Sequence, residues 1–151
     1  TGELEIVIKD NFSYIWKIYY ELQIPMMVSY KKVFYDIETF HIFGTCVVNQ
    51  HLLSQKKGVR NINRADFIKS IYSDQNMRGL NAMSISDITG IPRATVVRKL
   101  KSLVKRDFLS INNKKHYKLT GKIAKQLVPL QNIVLIQLAD FSTKIFNLAI
   151  L

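Results

Sequence analysis

The sequence predicts a mainly helical fold with one short two-stranded β-hairpin. Three observations predict it. Apolar residues recur at helical spacing along most of the 151 residues, a Gly–Ile–Pro turn separates two short helical stretches, and strand-like segments flank an Asn–Asn–Lys–Lys turn. A chain of this length forms one domain, or a small domain with helical additions, and buries a substantial core.

The N-terminal region, predicted to span residues 1–58, is rich in aromatic side chains. Asn11 or the residue before it can cap a helix that runs to about Gln23, and Pro25 is expected to end or bend that helix. A second helix is predicted over 37–55.

A second predicted domain covers residues 59–121 and begins with a helix over 64–73 and a loop over 74–81. The apolar residues of this helix share one face, which is typical of core packing. They are Phe67, Ile68, Ile71 and Tyr72.

Two further helices are predicted on either side of a tight turn. Ser84 starts a short helix that Gly90 ends, and Pro92 prevents helical continuation across the turn. The next helix is predicted over about 93–106, with its apolar residues spaced as a buried stripe. The stripe consists of Val96, Leu100, Leu103 and Val104.

A β-hairpin follows, with strands over 108–111 and 116–119. The third predicted region, 122–151, is a helix that Pro129 kinks or interrupts. This helix is too apolar for a surface position, whereas its interspersed polar residues argue against a membrane span. The apolar residues predicted to form its interface are Leu127, Leu130, Ile133, Val134, Leu138, Phe141, Ile145 and Leu148.

The distribution of charge predicts a polyanionic partner. The formal net charge is +11, and the segment from Ser84 to Lys125 holds eleven Lys or Arg residues but only two acidic residues, Asp87 and Asp107. A basic surface that is nearly free of acids favours nucleic acid.

The helix over 93–106 has the composition that a DNA-contacting helix needs. Its apolar stripe can anchor it while the opposite side meets the major groove, where Thr95 and Arg98 can reach base edges and the lysines can meet phosphates. The predicted DNA-contacting residues, with two from the hairpin turn, are Arg93, Thr95, Arg98, Lys99, Lys101, Ser102, Lys105, Lys114 and Lys115.

This order of elements resembles the winged helix-turn-helix of MarR-type transcription regulators, with the wing at about 109–119. The residues that carry the resemblance are Ile88, Gly90, Pro92–Val96, Leu100, Leu103, Phe108, Leu109 and Lys118–Thr120. The resemblance implies a homodimer built from N- and C-terminal helices, and in many such proteins a small-molecule effector. The sequence departs from the family pattern at Asp107, where a Gly is usual, and in its short wing tip.

The sequence gives weaker signals for metal binding, catalysis and redox chemistry. The three histidines and single cysteine give no zinc spacing, and no catalytic constellation or phosphate-binding loop is recognisable, which predicts a non-enzyme without cofactors. Cys46 is either an inert core thiol, which its apolar neighbours favour, or a redox sensor.

The sequence therefore predicts a cytoplasmic, dimeric transcription regulator that binds double-stranded DNA and no membrane. The alternative is a protein-interaction, replication or partition module that acts with an upstream domain, which the Thr at the start of the chain leaves open. Four aromatic residues are expected to line either an effector pocket or the dimer core: Trp16, Tyr20, Phe34 and Tyr35.

Overall fold

A computed structural model describes residues 2–56, 61–73 and 78–150. Within these residues the protein is mainly helical with one small antiparallel sheet, which confirms the predicted fold class at this level. The elements are α1 (Gly2–Asp10), α2 (Phe12–Phe34), α3 (Ile37–Lys56), α4 (Arg64–Ser73), α5 (Ala82–Thr89), α6 (Arg93–Lys105), β1 (Leu109–Ile111), β2 (Tyr117–Leu119), α7 (Gly121–Gln126) and α8 (Val128–Ile150).

The chain divides into two compact units. Unit 1 comprises residues 1–33 and 128–151, and unit 2 comprises residues 34–127. These limits differ from the predicted boundaries after residues 58 and 121, because α3 and α7 pack with the central elements.

In unit 1, α2 has one covered face and one exposed apolar face. Ile15, Ile18 and Leu22 are buried, and the last two line a cavity of about 240 Å³ together with residues of α8. The exposed face carries Phe12, Trp16, Tyr20, Ile24 and Met27, each at least 48% accessible.

The prediction that the first long helix runs only to about Gln23 is wrong, since α2 continues through Pro25 to Phe34. Pro25 cannot donate a backbone hydrogen bond to the carbonyl of Glu21. Both residues lie on the exposed side of α2, so water can solvate that carbonyl and the helix tolerates the proline.

The interruption predicted near Pro129 is confirmed. Leu127 ends α7, and Pro129 lies in the first turn of α8, where its missing N–H has no helical partner to lose. Among the described helices, α8 is long and apolar enough to cross a membrane by length and composition alone, a property that it shares with core helices of soluble proteins. None of its residues is buried within the chain.

The core of unit 2 joins α3, α5, α6 and the sheet. Helical spacing places Val96, Leu100 and Leu103 on the inner side of α6, where all three are fully buried. They share this core with Ile42, Ile85, Leu109 and Leu119, and the rings of Phe34, Phe43 and Phe108 pack on one another.

The sheet contains one pairing that the sequence did not reveal. β1 and β2 pair antiparallel with Leu109 opposite Leu119, and Tyr117 also exchanges two backbone hydrogen bonds with Leu80, at 3.1 and 2.7 Å. Gly79 permits this close approach, since a Cβ at that position would lie 2.2 Å from the Tyr117 carbonyl oxygen. Part of the predicted loop over 74–81 is therefore sheet-like, while residues 74–77 lie outside the described residues.

Candidate nucleic-acid interface

The short helix α5 is defined at both ends by specific backbone geometry. The Asn81 side chain accepts a hydrogen bond from the backbone N–H of Ser84 at 2.8 Å, so the helix starts at Ala82 and the predicted start at Ser84 is two residues late. Gly90 ends the helix in a left-handed conformation, with φ 72°.

Hydrogen bonds from α5 fix the turn that leads into α6. The Ser86 hydroxyl donates to the Ile91 carbonyl oxygen at 2.7 Å, and the Ile91 N–H donates to the Thr89 hydroxyl at 3.2 Å. Pro92 then supplies a compatible backbone φ of −54° just before the first residue of α6. The turn is thus closed by side chains as well as by its Gly and Pro residues.

The outer side of α6 forms an exposed polar face, here called the α6 face. It lies opposite the buried stripe and consists of Arg98, Lys101, Ser102 and Lys105, which are all exposed. Thr95 borders it and is half-buried, while Arg93 is exposed at the start of the helix. No acidic residue occurs in α6, so no side chain of the helix itself neutralises these cations.

Two basic residues of this region do not belong to the α6 face, because each contacts other side chains of unit 2. The Lys99 ammonium donates to Asp36 at 2.6 Å, lies 3.9 Å from Glu38, and belongs to a side chain that is only 14% exposed. Arg106, at the end of α6, stacks over the rings of Tyr35 and Phe108 at 4.2 and 4.3 Å. This geometry does not support the predicted DNA contact by Lys99, because its charge is already paired within the fold.

The tip of the hairpin is a compact turn organised by Asn112. Its side-chain oxygen accepts hydrogen bonds from the backbone N–H groups of Lys114 and His116, both at 3.0 Å. Lys115 takes a left-handed φ of 58°, and the side chains of Lys114 and Lys115 are exposed at the tip.

A cleft of about 730 Å³ separates α6 from the hairpin, and we call it the basic cleft. Its apolar lining residues include Val97, Val104 and Tyr117. Its basic residues are Arg93, Lys101, Lys105 and Lys115, and none of its described lining residues is acidic. The basic cleft therefore shares Lys101 and Lys105 with the α6 face and Lys115 with the hairpin tip.

Asp107, the residue that departs from the family pattern, takes the conformation that a glycine would favour. Its φ is 61°, and Asp tolerates this region better than most residues. Its carbonyl oxygen accepts a hydrogen bond from the Thr120 hydroxyl at 2.6 Å, and its carboxylate pairs with Lys122 at 2.9 Å. The turn before β1 is thus formed without glycine.

The four aromatic residues expected in an effector pocket or dimer core have different environments. Phe34 is buried in unit 2, and Tyr35 is 67% exposed and stacks on Arg106. Trp16 and Tyr20 belong to the exposed stripe of α2 in unit 1, where their rings meet edge to face. These positions do not define one common pocket within either unit.

Cys46 is a buried thiol on α3, 3% accessible, and burial raises its pKa to about 12. The thiolate, which is the reactive form, is therefore scarce near neutral pH. We expect no modification of the folded protein by a thiol-reactive disulfide reagent at pH 7, and full modification after denaturation. Fast labelling of the folded protein would instead support a redox role.

The described residues contain no group of three His, Cys, Asp or Glu side chains that could hold a metal ion. The order of α5, turn, α6 and a small hairpin is compatible with a winged helix. No protein-family model, no curated protein and no solved structure matches this chain.

Proposed function

We propose that this protein is a cytoplasmic transcription regulator that binds double-stranded DNA sequence-specifically through a winged helix in unit 2. The observation that carries the proposal is the acid-free positive surface formed by the α6 face, the basic cleft and the hairpin tip. A helix buried on one side and polar on the other suits insertion into the major groove, which is wide enough to admit it.

The residues of this surface divide into two groups by position. Arg98, at the centre of the α6 face, is the base-reading candidate, because a guanidinium can donate two hydrogen bonds to guanine. Thr95 lies one turn earlier, and its half-buried position suits a short contact to a base or a phosphate. The basic cleft, with Lys101, Lys105 and Lys115, fits a sugar–phosphate strand between α6 and the hairpin.

The division of charge between the two units supports this assignment. Unit 1 contains five lysines and five acidic residues, whereas unit 2 contains 17 basic and six acidic residues. The whole net charge of +11 thus belongs to unit 2. Electrostatic attraction to DNA acts on unit 2, and unit 1 is suited to another task.

For unit 1 we propose association with a second copy of the chain. Large apolar side chains are exposed on both α2 and α8, including Trp16 at 48% and Ile136 at 72%. A formally neutral unit does not repel its own copy, and its described ion pairs Lys9–Glu5, Lys17–Glu21 and Lys144–Asp140 are each internal to one helix. A homodimer would also present two α6 helices to a near-palindromic site.

We expect Ile136→Glu and Trp16→Glu each to shift the protein toward monomer in size-exclusion chromatography with light scattering. A charge placed in a desolvated interface is costly, whereas Lys31→Glu on the exposed surface of α2 should leave the dimer intact. Circular dichroism would verify that the helices persist. A wild-type monomer at micromolar concentration would contradict the proposed dimer.

A protein-interaction module is the second candidate function, and one observation favours it. An apolar groove of about 450 Å³ lies between α3 and α5 in unit 2, where Val48, Leu52 and Ile88 are more than half exposed. Exposed apolar grooves of this kind can accept a protein segment. A failure of the protein to bind DNA would favour this second candidate function.

The proposed function is tested by selecting duplexes from a random-sequence library with the full chain. Fluorescence anisotropy then compares a selected duplex with a random duplex over a salt series. Specific binding predicts at least about a thousandfold preference for the selected duplex. Equal affinity for both duplexes, or no binding at low salt, would contradict a sequence-specific regulator.

A further inference from the structure

The connection between α2 and α3 is a two-residue joint, Tyr35–Asp36, with a defined backbone. Tyr35 takes a left-handed φ of 71°, an uncommon conformation for an aromatic residue. The Asp36 carboxylate caps α3, since it accepts hydrogen bonds from the Thr39 N–H at 2.8 Å and from the Thr39 hydroxyl at 3.0 Å. Both residues belong to unit 2.

Asp36 also binds α6 directly. The carboxylate oxygen that accepts from the Thr39 hydroxyl also accepts from the Lys99 ammonium, at 2.6 Å. Partial burial raises the pKa of Asp36, but the hydrogen bonds from Lys99 and Thr39 together lower it below its ordinary value. One carboxylate therefore caps α3 and anchors the middle of α6.

Tyr35 makes the second contact with α6. The Arg106 guanidinium lies 4.2 Å from the Tyr35 ring centre and 4.3 Å from that of Phe108, where each ring can attract the cation. The joint thus holds α6 at two points, Lys99 and Arg106, about two helical turns apart. Two attachment points restrain both the rotation of the helix about its axis and its tilt.

We propose that the Tyr35–Asp36 joint is the positioning element of the α6 face. Successive residues of a helix are rotated by about 100°, so fixing the direction of Lys99 fixes the direction of its neighbour Arg98. Together with the buried stripe of α6, the joint therefore sets how Arg98 meets a base edge, without itself touching DNA. This inference rests on the proposed DNA-binding function and names the residues on which its sequence discrimination depends.

Asp36→Asn is the decisive variant, because the Asn side chain still caps a helix but carries no charge for Lys99. Asp107→Asn is the matched control, since it removes the carboxylate of another lysine pair in unit 2 and keeps a residue that tolerates the left-handed conformation. Removing an acid from a basic protein should, by charge alone, strengthen DNA binding. Weaker binding by Asp36→Asn therefore identifies loss of positioning.

We expect Asp36→Asn and Lys99→Gln each to weaken binding of the selected duplex on the order of fivefold. Binding of the random duplex should change less than twofold in Asp36→Asn, and the slope of affinity against salt should stay at the wild-type value in both variants. The double variant should be no weaker than either single one, because both remove the same contact. Asp107→Asn should bind the selected duplex at least as tightly as the wild type does, because it also removes an acid from the basic unit.

Two results of the binding measurements would overturn the proposal. One is undiminished binding of the selected duplex by Asp36→Asn. The other is a salt slope reduced by about 0.9 in Lys99→Gln, because that change would make Lys99 a phosphate contact.

Hydrogen exchange separates failure of this proposal from failure of the proposed function. If the wild type does not discriminate between duplexes, amide exchange in α6 still measures how far the joint stabilises this helix in the free protein. Faster exchange of α6 in Asp36→Asn than in Asp107→Asn supports positioning by the joint, and equal exchange overturns it.

Discussion

Replacing Arg98 by Ala is expected to weaken binding of the selected duplex about 5- to 150-fold, equivalent to about 1–3 kcal/mol for one bidentate base contact. Arg98 is exposed at the centre of the α6 face. Lys99 pairs with Asp36 and Arg106 stacks on Tyr35, so neither cation can replace Arg98 in a base contact. The loss should also relax the sequence preference at one base-pair position.

Lys105→Ala provides the contrasting result. Lys105 lines the basic cleft, where we propose a phosphate contact. Its loss should weaken binding of selected and random duplexes about equally and lower the salt slope by about 0.9. Lys17→Ala removes one positive charge from the formally neutral unit 1 and is the matched control.

Fluorescence anisotropy with both duplexes over the salt series distinguishes these variants. If Arg98→Ala weakened both duplexes equally and lowered the salt slope as Lys105→Ala does, Arg98 would be a phosphate contact. The assignment of base reading to α6 would then fail, while the proposed binding of DNA by unit 2 would stand.

The parts of the fold that the sequence predicted correctly depend on short-range signals. The end of α5 at Gly90 and the start of α6 after Pro92 follow from the backbone preferences of these two residues. Helical spacing alone also predicts the buried stripe of Val96, Leu100 and Leu103, whereas Val104, predicted to belong to it, is only half-buried and lines the basic cleft. Such features are encoded within a few residues, so no tertiary information is needed to find them.

The features that the sequence did not predict depend on contacts between distant residues. Lys99 has the helix position and chemistry of a DNA contact, but its partner Asp36 lies 63 residues away in sequence. Composition cannot show that pairing. The other predicted DNA contacts stay predictions, and the structure explains why Lys99 instead pairs with Asp36 within the fold.

The pairing of Leu80 with Tyr117 was also missed, although the sequence contained a signal for it. Gly79 and two Asn residues predict a loop for this segment, whereas an isolated glycine can also mark a close backbone approach. Only the fold shows which strand approaches. Since Tyr117 also pairs with Ile111, this contact ties the hairpin to the segment before α5.

Gly79→Ala is accordingly expected to destabilise the protein by about 2 kcal/mol or more. The added Cβ would lie 2.2 Å from the Tyr117 carbonyl oxygen and 2.6 Å from its carbonyl carbon. Backbone atoms cannot rotate away as a side chain can, so Leu80 and Tyr117 must separate and lose their two hydrogen bonds. Overpacking costs about 1–3 kcal/mol, and each lost hydrogen bond adds about 1 kcal/mol.

Gly44→Ala is the matched control for this change. Gly44 lies within α3, and a Cβ there meets no atom of the described residues within 4 Å. The same substitution should therefore stabilise the protein by about 0.5–1 kcal/mol, because Ala favours a helix over Gly. Urea unfolding followed by circular dichroism measures both variants, with equal m-values showing that the transition remains comparable.

Because the two substitutions are expected to change the free energy of unfolding in opposite directions, together they test the packing around Gly79 and Gly44. A Gly79→Ala variant as stable as the wild type would show that Leu80 and Tyr117 are not paired in solution. A destabilised Gly44→Ala variant would show that this position is occupied in solution, although the described residues leave it open. Gly44 lines the apolar groove between α3 and α5, so that second outcome would show that the groove is filled in solution.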